Sequence, residues 1–154
     1  MQITVPNDIL LAEVGALLAE GKDVEILTKG VSMLPFIVGD RDSVLLRKDN
    51  GSRPLAPGDI VLARIAGTNY VLHRVMQIGR NVVVLRGDGN IRGCETVSPE
   101  NVLGRVIRII HPSGKSFRPG GAVIWRHSSE LFRRFVLSIY KRTIYKILMN
   151  NEKG

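Results

Sequence analysis

The chain has 154 residues, 44% hydrophobic and 23% charged, which fits one globular domain and excludes a disordered chain. A single cysteine, Cys94, excludes an internal disulfide and a multi-cysteine metal site, and no cofactor or metal is expected. The formal net charge of +8 favours anionic partners (nucleic acid, anionic lipid or an acidic peptide) and says nothing about the fold.

No run approaches the roughly 18 consecutive apolar residues of a membrane-spanning helix, and no basic segment followed by an apolar one marks a secretory signal at the N-terminus. The expected location is cytoplasmic, with any membrane attachment peripheral.

Residues 7–20 predict a short helix, capped by Asn7 or Asp8 and ended by Gly21, with Leu10, Val14, Leu17 and Leu18 on the face turned to the core. Beyond Val24 the pattern changes. Short β-branched runs at 24–28, 43–47, 59–65, 70–78, 81–86 and 102–110 alternate with turn-forming clusters such as Asn50-Gly51, Pro57-Gly58-Asp59, Gly67-Thr68-Asn69 and Gly87-Asp88-Gly89-Asn90. That spacing predicts a mainly β protein with a coiled, barrel-like antiparallel sheet. Residues 111–126 read as a linker containing a Gly- and Pro-rich loop, and 127–149 as one helix. Phe132, Val136, Ile139, Thr143 and Ile147 share an apolar arc of that helix, opposite Arg134, Lys141, Arg142 and Lys146. The expected organisation is an N-terminal helical segment (1–23), a core (24–110), the linker (111–126) and a basic amphipathic helix and tail (127–154).

Four stretches carry candidate chemistry. Ser32, in Gly30-Val31-Ser32-Met33-Leu34-Pro35, follows a strand on a constrained loop where a hydroxyl can project and its own N–H can face a substrate carbonyl. Asp59, in Gly58-Asp59-Ile60-Val61, is expected to cap its turn. His73 lies within a strand, on the side of Val71 and Val75, and neutral imidazole suits a general base; Arg74 points to the opposite face. Asp88, in Gly87-Asp88-Gly89-Asn90, either shapes a tight turn or brings a carboxylate to His73. Cys94 is expected as a small core residue.

In order and spacing, Gly30–Pro35, Gly58–Ala63, Tyr70–Val75 and Gly87–Asn90 resemble the boxes of the signal-peptidase and LexA-type serine peptidases, over roughly residues 24–110. Histidine at the base position resembles the serine–histidine branch of archaeal, endoplasmic-reticulum and sporulation-type signal peptidases. The resemblance implies the LexA and signal-peptidase catalytic core and a serine endopeptidase acting on a leader- or signal-like peptide, with small side chains next to the scissile bond. It implies Ser32 as nucleophile and oxyanion donor, His73 as base and no cofactor. Some signal peptidases have a second hydroxyl donor two residues before the nucleophile; here that residue is Gly30. The aspartate that follows the fourth box in the endoplasmic-reticulum branch is replaced by Ile91-Arg92-Gly93-Cys94-Glu95, so Asp88, Glu95 or no carboxylate completes the site.

The alternatives are a non-catalytic peptide- or partner-binding protein on the same fold, or a LexA-like DNA-linked regulator. For the latter the expectation finds no N-terminal DNA-binding domain, and the short N-terminal stretch offers no Ala-Gly or Cys-Gly bond to cleave. For the basic C-terminal helix three roles are open: packing on its own domain or in a homodimer, lying on an anionic membrane with Trp125 at its start, or contacting nucleic acid. No base-reading module accompanies it, so nucleic acid is not an expected partner.

Overall fold

Eight antiparallel strands form among the described residues, six of them on the β-branched runs, and the protein is mainly β: a curled half-barrel sheet with a helix before it and helices after it. The structure is a computed structural model that describes residues 7–66 and 69–151, with backbone alone for 7–9. The expected Asn7 or Asp8 cap and the Gly67-Thr68 part of one turn therefore lie outside the described residues.

The strands are β1 (Val24–Leu27), β2 (Ser43–Arg47), β3 (Ile60–Ile65), β4 (Asn69–Ile78), β5 (Val83–Arg86), β6 (Glu95–Val97), β7 (Val102–Ile110) and β8 (Ser116–Phe117). They run in the order β1-β2-β7-β3-β4-β5-β6, and β8 pairs with β7. The short strands β6 and β8 were not among the predicted runs; three and two residues carry too little alternation to register. Register shifts at Leu45/Leu46, Leu62/Ala63 and Val75/Gln77 interrupt the ladders. Each such irregularity bends its strand and increases the local twist, which curls the sheet. The curl is visible in packing: Val97 of β6 joins one core cluster with Val61 and Ala63 of β3.

Strand β3 is buried on both faces. Ile60 and Leu62 face a cluster with Met33, Ile37 and Leu46, closed over by helix α1 (Asn7–Ala19) through Val14 and Leu18. Val61 and Ala63 face the other cluster with Val75, Val83 and Leu85. Leu11 packs against the first cluster, whereas Leu17, expected on the core face, is exposed. Gly21, at φ +84°, ends α1 as expected: Lys22 N–H bonds Leu17 O and Gly21 N–H bonds Leu18 O.

The single C-terminal helix expected over 127–149 is instead three: α2 (Val123–His127), α3 (Glu130–Arg142) and α4 (Ile144–Asn151). Ser129 starts α3 by accepting from Phe132 N–H at 3.1 Å, and Thr143 Oγ1 closes its last turn on Ile139 O at 2.6 Å. Its inward face shares only Val136 with the predicted arc. Arg133 and Leu137 turn inward, while Phe132, Ile139 and Ile147 are exposed. Leu137 and Trp125 cover Leu34 and Val38 of the loop between β1 and β2. Among the described residues no helix is long and apolar enough to cross a membrane.

Candidate active site

Ser32 sits in the β1–β2 loop, half-buried, after Gly30 at φ +76°. Two glycines of the Gly87-Asp88-Gly89-Asn90 turn press that loop into place. A Cβ on Gly89 would lie 2.2 Å from Val31 O, and one on Gly87 would lie 2.5 Å from Ser32 O and 3.0 Å from His73 Nε2. The Ser32 backbone and the imidazole thus stand on either side of one missing methyl group. Gly89 N–H donates to Ser32 O at 2.7 Å, locking the two segments together.

His73, on β4, is 5% exposed. Its Nδ1 lies 2.9 Å from Glu95 Oε2. A carboxylate only accepts, so Nδ1 carries the hydrogen and Nε2 keeps its lone pair. Ser32 and His73 line one cavity of about 180 Å³ together with Leu11, Ile26, Met33 and Leu72. Among the described residues the Ser32 hydroxyl and N–H have no hydrogen-bond partner, His73 Nε2 included. A larger cavity of about 680 Å³, lined by Arg47, Arg53, Arg105 and Arg118, touches neither residue.

Asp88 is placed elsewhere than beside the imidazole. Its carboxylate accepts from Arg74 Nε at 2.8 Å and from Arg74 Nη2 at 2.7 Å, with both side chains buried. Burial pushes the Asp88 carboxyl up, while the Arg74 guanidinium pulls it down. Arg74, 1% exposed, also donates to Gly58 O and Gly120 O at 2.8 and 2.7 Å and lies over the Phe36 ring. It fastens the Gly58-Asp59 turn, the Asp88 turn, the segment before α2 and the Ser32 loop to one strand. The sequence places Arg74 on the face away from His73 and assigns it no role; a charged residue within an otherwise largely apolar strand, Val71 to Met76, is the signal that marks it. Asp59 caps its turn by accepting from Ala56 N–H at 2.9 Å, and also pairs with Arg53.

Cys94 is exposed, not a core residue, because it lies in the connection leading into the edge strand β6. Trp125 is buried, donating from Nε1 to Asp88 O at 3.0 Å, and so faces the core instead of solvent. Among the described residues no three His, Cys, Asp or Glu side chains gather to hold a metal ion. Comparison of the chain with protein-family models and with curated proteins finds no match to either.

Proposed function

We propose that the chain is a serine endopeptidase of the signal-peptidase and LexA-like type, with Ser32 as nucleophile, His73 as general base and Glu95 as the group that orients the base. The observation that carries this reading is the shared cavity of Ser32 and His73, with Glu95 fixing the tautomer that leaves Nε2 basic.

In this reading an extended peptide adds along the outer edge of β1, which pairs only with β2 among the described strands. The apolar cavity takes a small side chain next to the scissile bond. Ser32 Oγ attacks the scissile carbonyl as its proton passes to His73 Nε2, and the Ser32 N–H donates to the oxyanion. Collapse breaks the C–N bond, and the imidazolium gives its proton to the leaving amine. Water, deprotonated by the same nitrogen, then attacks the acyl ester; the proton returns to Ser32 Oγ and the acid is released. The Glu95 carboxylate stabilises the imidazolium in both halves.

The test is intact-mass analysis after treatment with a serine-directed acylating probe. Wild type gains one adduct; Ser32→Ala and His73→Ala do not. Folded wild type that takes no label, or label retained in Ser32→Ala, removes the nucleophile assignment and leaves a peptide-binding module.

A further inference from the structure

The C-terminal helices present two chemically different faces. Inward, Leu137 and Trp125 pack on the Ser32 loop. Outward, Ile124 is 82% exposed, Leu131 75% and Phe135 65%, and Ile139 is exposed as well. Leu131, Phe135 and Ile139 follow one another at i, i+4 spacing and form one strip along α3. Contiguous apolar surface of this kind marks an interaction site. Neither of the two cavities described above is lined by α3 or α4. The strip is accompanied by Arg134, Arg142 and Lys146, all exposed. The sole acid of residues 123–151, Glu130, is held by Arg92 and Arg134.

We propose that this face docks on an anionic lipid surface, with Ile124, Leu131 and Phe135 at the headgroup–acyl boundary and the basic side chains on lipid phosphates. Charge selects the occupant. A second copy would set one basic face against another, whereas an anionic bilayer offers negative charge and apolar depth together and needs no matching shape. The long Arg and Lys stems lie along the apolar strip while their charged ends reach the phosphates. The edge-on ring contacts Phe36–Trp125 and Trp125–Phe132 join this face to the Ser32 loop. A docked chain therefore holds that loop close to the bilayer. The inference stands whether or not Ser32 reacts.

The experiment is co-sedimentation of the full chain with vesicles of phosphatidylcholine alone, or of equimolar phosphatidylcholine and phosphatidylglycerol. Sedimentation velocity and Ser32 acylation are read on the same preparations. Wild type partitions at least about 10-fold more strongly to the anionic vesicles, and added salt weakens this. The double variant Leu131→Ser/Phe135→Ser loses about 10-fold of that partition with its melting temperature and acylation unchanged. Equal partition of wild type and variant overturns the proposal, as does no binding to anionic vesicles. A wild-type dimer that the variant dissociates, with no vesicle binding, assigns the face to a second copy. Acylation without vesicle binding sinks this inference alone; vesicle binding without acylation leaves it intact.

Discussion

Glu95 determines which nitrogen of His73 carries the hydrogen, and a substitution that keeps shape but removes charge isolates that role. In Glu95→Gln the side chain still reaches Nδ1, but nothing stabilises the imidazolium. Acylation of Ser32 is expected to slow on the order of 100-fold, with little change in melting temperature, since the Glu95 side chain is 29% exposed. Arg74 gives the opposite pattern. Arg74→Met leaves the buried Asp88 carboxyl without its cation, a loss of about 3–5 kcal/mol at neutral pH. Burial, the largest influence on Asp88, is then opposed only by the smaller effects of Arg86 and His73, and its carboxyl is held further above the ordinary aspartate value. A group raised in the folded state contributes stability that is full below its unfolded value and is lost as pH rises through the folded one. The variant is therefore more stable in acid than at neutral pH, and its deficit against wild type narrows as pH falls. Denaturant titrations at several pH values check this; a deficit that widens on acidification refutes it. The Ser32 and His73 candidates were legible in the sequence because each lies in a short motif at a recognisable spacing. The choice between Asp88 and Glu95 was not, because it depends on the β5–β6 register, which pairs Leu85 with Glu95, and on Arg74 claiming Asp88 from the other face of β4.

Between elements, the decisive contact is the Gly87–Asn90 turn against the Ser32 loop. A methyl on Gly87 meets the Ser32 carbonyl at 2.5 Å and one on Gly89 meets the Val31 carbonyl at 2.2 Å, both backbone atoms, so one loop must move. Gly87→Ala and Gly89→Ala are each expected to cost about 1–3 kcal/mol, lowering the melting temperature by roughly 5 °C. Gly120→Ala, where nothing lies within 4 Å of the added carbon, serves as the unaffected control. Gly87→Ala also loses more acylation than stability accounts for, because its methyl falls 3.0 Å from His73 Nε2. Equal melting temperatures for all three variants would mean that the turn does not bear on the loop. The main strands were legible through β-branched runs and turn residues, as β2 and β7 show by matching their predicted ranges. The C-terminal break was not. An unbroken apolar period ran through Thr143, and no periodicity rule turns Arg133 inward, where it donates to Ser128 O and Ile91 O.

For the molecule as a whole, the C-terminal segment is both a backing for the Ser32 loop and a surface in its own right, and deletion and point substitution separate these. Trp125 and Leu137 are buried against Leu34 and Val38, directly behind the Ser32 loop. Burial of two such side chains stabilises by roughly 2 kcal/mol each. The inward Arg133 offsets part of this, since its Nε finds no partner among the described residues and its charge opposes that of Arg86. A chain ending before Val123 also uncovers Asp88 O, the acceptor of Trp125 Nε1. It is expected to melt about 10 °C lower than the full chain and to lose Ser32 acylation even in the absence of lipid. Phe135→Glu, on the outward face, leaves melting and acylation in solution unchanged, because it touches neither the core cluster nor the loop. A truncated chain that melts and acylates like wild type would show that the core from β1 to β8 positions Ser32 unaided. The helices would then be only an appended surface. Loss of acylation in the truncation and its retention in Phe135→Glu would instead establish that one short segment supports the nucleophile from behind while its other face stays free for a partner.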